Sequence, residues 1–219
     1  VLDPLGESDL VHQYDVSSAF DITSSITLET SYNVADEDDD ADAISFSTDG
    51  TNMFITGSQR SVFQYDLVDP YDLAQTVTLE GSYSLPGIFS PNGLLFSPDG
   101  YTMLVANRSG IGHVHRFTLE NPFDITSEVT FQRLFEVEES LTGMAIDSEG
   151  YRLYTLVNQD ADIKQYSWES RRLIIETDAN DGTVDRSRRL DILNETFTNV
   201  GSTLSTPEDY VISNLPAGL

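Results

Sequence analysis

A glycine every fifty residues, a β-rich apolar run on either side of each, and no helical periodicity predict an all-β chain. The architecture that meets all three is a β-propeller of four-stranded antiparallel blades. About four blades or a partial ring fit the length, with a non-repeat C-terminal tail. The glycines are Gly50, Gly100 and Gly150, closing Phe46-Ser47-Thr48-Asp49-Gly50, Phe96-Ser97-Pro98-Asp99-Gly100 and Ile146-Asp147-Ser148-Glu149-Gly150. Asp-Gly between two such runs is a strong hairpin signal, because glycine supplies the positive φ of the turn.

Each turn joins a first strand to a second, over Met53 to Thr56, Met103 to Ala106 and Leu153 to Val157. A third strand follows at Val62 to Leu67, Val114 to Leu119 and Ile163 to Trp168, with a further copy at Val11 to Val16. After it comes a loop of apolar-Asp character, Phe20-Asp21-Ile22, Tyr71-Asp72-Leu73 and Phe123-Asp124-Ile125, which the last unit lacks. Fourth strands are expected at Ser25 to Val34, Thr76 to Leu85, Val129 to Val137 and Arg172 to Thr177. The repeat region is therefore 10–177, with a half blade at 10–34 and blades at 42–85, 93–137 and 143–177. Residues 178–219 form a tail that either supplies ring-closing strands or docks elsewhere.

Acidic residues outnumber basic ones 37 to 11 in the 219 residues, for a formal charge of -26, and Lys164 is the only lysine. Such a field repels nucleic-acid phosphates and anionic lipid, so neither is expected as a partner. At molar salt the Debye length shrinks to about 3 Å and self-repulsion is screened, which points to a halophile, an acidic secreted protein from seawater being the alternative. There is no cysteine, hence no disulfide and no thiolate metal site. No apolar run approaches the roughly 20 residues that span a bilayer.

Phe-Ser-Pro-Asp-Gly at 96–100, Gln-Tyr-Asp-Leu at 64–67, and the Pro-aromatic-Asp loops at 70–73 and 122–126 resemble the propeller repeats of virion and tail-associated proteins of aquatic viruses, and of surface proteins of marine microbes. The likeness covers about residues 10 to 177. It departs at Glu149, at the missing loop of the third unit, and in a ring too short for six or seven blades. The resemblance implies a non-enzymatic virion surface module of a halophilic virus, for recognition of a host glycan or glycoprotein or for virion structure. A location on the virion surface or outside the cell, at high salt and within a larger assembly, goes with it. Other virion proteins would then contact residues 178–219. Two alternatives are a secreted or cell-surface scaffolding propeller of a halophilic microbe and a metal-dependent lactonase-like hydrolase using Asp42 and Asp147.

Antiparallel strands put the repetitive turns and apolar-Asp loops on one face of the disc and the variable loops on the other. Variable loops on a rigid scaffold are where binding concentrates. The expected ligand-binding residues are Asp38, Asp40, Arg60, Asn107, Arg108 and Asp160. Asp36, Asp38 and Asp40 could hold Ca2+ or another hard cation, although the run lacks the glycine and spaced glutamate of a calcium loop. No other cofactor is implied. Asn107 and Asn194 head N-linked glycosylation triplets, Asn107 in an expected exposed loop. His113 and His115 share one strand face, yet the position of His115 is held by His12, Phe63 and Lys164 in the other units, which reads as packing. Asp21, Asp72 and Asp124 read as turn-makers, and Tyr14, Tyr65, Phe117 and Tyr166 as inter-blade packing. No catalytic residue is assigned.

Overall fold

A computed structural model describes residues 1–3, 9–19, 21–108, 112–137, 141–150, 152–157 and 163–167. The expected fourth strand at 172–177, the tail at 178–219, Asp160 and Asn194 lie outside the described residues. All regular structure described is β, in four antiparallel sheets with consecutive strands as neighbours. Among the described residues no helix is long and apolar enough to cross a membrane.

Blade 1 holds β1 (Leu2–Asp3), β2 (Leu10–Val16) and β3 (Ile26–Asn33). Blade 2 holds β4 (Ala41–Phe46), β5 (Asn52–Gly57), β6 (Ser61–Leu67) and β7 (Val77–Ser84). Blade 3 repeats it with β8 (Pro91–Phe96), β9 (Thr102–Asn107), β10 (His113–Leu119) and β11 (Val129–Glu136). Blade 4 contributes β12 (Leu141–Ile146), β13 (Arg152–Val157) and β14 (Ile163–Ser167). The fold is a β-propeller. One difference from the expected boundaries is β1, which pairs Leu2 with Val11 and gives the first blade a third strand upstream of residue 10.

Registers repeat from blade to blade, bulges included. The first strand carries a bulge between Ala41 and Ala43, Pro91 and Gly93, and Leu141 and Gly143. The third carries one after Gln13, Gln64 and Arg116. Side chains alternate across each sheet, so every blade presents one face to the blade before it and one to the blade after. On β5, Met53 and Ile55 pack toward blade 1 with Val11 and Val34, whereas Phe54 joins Leu94, Phe96, Met103 and Val105 of blade 3. Leu104, Ala106 and Val114 face the other way, into blade 4 beside Leu141 and Leu153. The core is thus a series of joints between successive sheets. Tyr65 and Phe117 are buried to 0% and 1% in them, and Tyr166 packs against the last. Tyr14 departs from the expectation at 41% exposure, because among the described residues no sheet stands on its side of blade 1.

The repeated turn and the apolar-Asp loop form one unit. Gly50 and Gly100 hold φ of +76° and +75°, and a Cβ on either would run into the ring of Tyr71 or Phe123. Those aromatics also sit at positive φ, 59° and 55°, fixed by N–H groups donated to the Gly50 and Gly100 carbonyls at 3.0 Å each. Tyr71 adds hydroxyl bonds to the Ser47 and Thr48 carbonyls. The aspartates behave as expected of turn-makers. Asp124 Oδ1 accepts from the Thr126 amide and hydroxyl, Asp21 Oδ1 does the same for Thr23, and Asp72 Oδ1 accepts from the Ala74 amide. In the last unit Asp147 Oδ1 accepts the Arg152 amide, the role that Ser47 Oγ plays for Asn52.

Candidate functional site

The described part of the variable face is built by the connections into β4 and β8, by the β5–β6 loop and by Arg108 after β9. Within it the acidic run divides in two. Asp38 is fully buried, and its carboxylate ties one loop to another: Oδ1 accepts from the Asp40 amide and the Ser58 hydroxyl, and Oδ2 from the Gln59 amide. Burial pushes its carboxyl up, against the opposing pull of these bonds. A carboxylate so fully engaged is a structural tie, which corrects its assignment as a ligand-binding or cation-binding residue. Asp36 and Asp40 are exposed, and Asp39 Oδ1 accepts from the Gln59 side chain. Among the described residues no group of three or more His, Asp or Glu side chains is placed to hold a metal ion.

Asn107 likewise differs from the expected exposed loop residue. It ends β9, is buried to 5%, and its Oδ1 accepts the Ser90 amide at 3.1 Å. A glycan at its amide nitrogen is incompatible with that burial.

Arg60 and Arg108 are the predicted residues that each contact the loop ahead of β8. Arg60 has φ of 56°, held by its N–H to the Gly57 carbonyl at 3.1 Å and by its carbonyl, which accepts the Leu85 amide at 2.8 Å. Its guanidinium lies 5.3 Å from the centroid of the Phe89 ring, within cation–π range. One residue on, the Ser90 carbonyl accepts the Arg108 amide at 2.9 Å. The Arg108 side chain is 52% exposed and reaches Asp42 at 3.9 Å. Asp42 is the bulged residue of β4, and a bulge re-aims its side chain out of the ladder. Burial raises its carboxyl, and the Arg108 charge only partly offsets this.

The result is two side-chain pairs, Arg60 with Phe89 and Arg108 with Asp42, joined through the backbone at Ser90, with the Phe89 ring 62% exposed. One guanidinium, that of Arg60, lies against an open aromatic ring on a strongly acidic protein, while that of Arg108 turns to Asp42. Phe89 is the member that sequence reasoning missed. It sits in a stretch with no repeat counterpart, and an apolar residue next to a Pro-Gly turn carries no signal of its own.

Other predicted constellations separate or turn inward. The His113 and His115 rings are 6.5 Å apart, with His115 also against Phe131. Burial first, then the neighbouring His113, holds the His115 imidazole below its ordinary range. Asp42 opens β4 on the variable face, whereas Asp147 follows β12 on the turn face, so they cannot share one ion.

No family model matches this chain, and no curated protein matches it. Solved structures do. A putative 6-phosphogluconolactonase from Bacteroides fragilis superposes with a TM-score of 0.52 at 12% identity, over 74% of this chain and 46% of its own. A functionally unknown protein from Desulfotomaculum acetoxidans gives 0.51 at 17%, over 76% and 51%. The β-propeller domain of Cps50 (Swd1) from Myceliophteria thermophila gives 0.48 at 12%, over 76% and 51%. This chain spans about half the length of each. At such identities the likeness is one of fold.

Proposed function

We propose that this propeller is a non-enzymatic surface module of a virion that works at high salt, and that it recognises a glycan or glycoprotein on a host cell. The observation that carries the reading is the exposed Phe89 ring with the Arg60 guanidinium against it, on the loop whose Ser90 carbonyl also holds the Arg108 amide. An exposed aromatic ring offers a flat apolar surface to the face of a sugar or to an apolar side chain, and two guanidinium groups offer planar pairs of donors to carboxylate or hydroxyl oxygens. Aromatic and arginine side chains are the types over-represented where binding energy concentrates. Arg60 also sets a positive charge beside the ring on a chain of formal charge -26. The virion and the halophilic host rest on the repeat resemblance and on the composition.

The test is binding of the purified chain to intact halophilic cells at molar salt, alongside Arg60→Ala/Arg108→Ala and Phe89→Ala. Binding by the parent that falls at least tenfold in both variants supports a receptor site on this face. Binding retained by both variants moves the site elsewhere. No binding by the parent shifts the reading to a structural role within an assembly.

A further inference from the structure

Two joints of the propeller are closed by the same side-chain clasp. Gln13 on β2 accepts the backbone N–H of Leu73 in the next blade at 2.6 Å. Gln64, in the same place on β6, accepts the N–H of Ile125 at 2.9 Å. In each case the donor follows the aspartate of the apolar-Asp loop, and its side chain is buried, Leu73 to 7% and Ile125 to 2%.

Both halves of this clasp recur at the ends of the arc. Gln165 pairs with Tyr154 as Gln64 pairs with Phe54, so it occupies the acceptor position on β14, and it is exposed. Ile22 follows Asp21 as Leu73 follows Asp72, and it is 83% exposed. The sheet faces around them match the buried joints position by position. Tyr14 stands where Tyr65 and Phe117 are buried, and Val16, at 36%, where Leu67 and Leu119 are at 2% and 5%. At the other end Ile163, at 73%, stands where Val62 and Val114 are fully buried.

We propose that two copies of this chain join end to end, blade 4 of each against blade 1 of the other, with Gln165 of one copy accepting the N–H of Ile22 of the second. Among the described residues each chain carries one open donor half and one open acceptor half, so a two-fold pair engages all four. Ile22 and Tyr14 are exposed, so none of the described residues closes the joint at blade 1. The surfaces that meet continue the joint already made twice within each copy, which sets the chemistry of the occupant: another blade of this repeat. With a formal charge of -26 on each copy, association strengthens as salt rises, since molar salt shortens the Debye length to about 3 Å.

The test uses the full chain in molar salt. Because it has no cysteine, Ile22→Cys and Gln165→Cys are made separately and mixed in equal amounts with a short bismaleimide. Both positions are exposed, and a far-ultraviolet dichroism spectrum unchanged from the parent confirms folding. The expected result is a dimer by light scattering for the parent, a covalent dimer in the mixture in excess of either variant alone, and dimerisation weakened at least tenfold by Ile22→Asp. A parent that stays monomeric at every concentration overturns the proposal. So does a dimer that the mixture does not cross-link. A chain carrying both cysteines that links only within itself overturns it in favour of a ring closed by one copy.

Discussion

The two faces of the disc use the same residue types for different ends. On the turn face Asp49, Asp124 and Tyr71 spend their polar atoms on their own loops. The same geometry recurs there in blades 2 and 3. On the variable face Asp38 is spent in the same way, but Arg60 and Arg108 project from backbone held by hydrogen bonds, with the exposed Phe89 ring beside Arg60. Acidic residues in a run therefore say little about binding until their hydrogen bonds are counted. A polar side chain whose backbone is tied down while its tip is open is the better marker.

The largest effect that would break the contrast is expected on the turn face. Gly100→Ala places a Cβ at positive φ against the Phe123 ring, and a loss of about 2–4 kcal/mol is expected by denaturant unfolding. Gly150→Ala is the control. It has the same φ, but its nearest neighbour is Pro98 Cδ at 3.0 Å, so about 1 kcal/mol is expected. Equal losses would show that the aromatic lock contributes nothing.

On the variable face Asp38→Ala strands the Gln59 and Asp40 amides, and a loss of about 2 kcal/mol is expected in the same measurement.

The third effect depends on pH. The His115 imidazole is held below its ordinary range, so the unfolded chain takes up its proton first. The stability this residue lends is present above about pH 6.5 and is lost as pH falls through the folded value. His115→Phe, the residue found at Phe63, removes that loss. Its thermal midpoint is expected to exceed the parent's by more at pH 5 than at pH 8, with a gain below about 1 kcal/mol given partial exposure.

The smallest expected effect sharpens the contrast. Arg60→Ala and Arg108→Ala should each shift stability by no more than about 0.5 kcal/mol, since the Arg108–Asp42 contact at 3.9 Å is exposed and weak. A larger loss from either would make it a scaffold residue like Asp38.

The sheets were legible because Asp49-Gly50 and Asp99-Gly100 recur in phase with the strands, and because a turn at positive φ leaves a short, local mark in the sequence. Burial was less legible. Asn107 looked like a loop residue since it precedes Arg108 and a glycine-rich stretch, yet the amide of Ser90, seventeen residues earlier, fixes it inside. Asp38 looked identical to Asp36 and Asp40, and only contacts about twenty residues away distinguish it. Tyr14 carried the full repeat signature, and its exposure depends on a neighbour that local pattern does not encode.

β9 is buried at all six positions, and β5 at all but its first, while the outermost strands β3, β7 and β11 alternate toward water. Among the described strands the blade-to-blade packing joins successive blades, so local opening is expected to be graded along the arc. Amide protons of β5 and β9 would then be the last to exchange with deuterium, and protection would decline toward β2 in one direction and β14 in the other. The central joint is in that sense the clock of the molecule, setting the longest time for which any part of the arc stays folded.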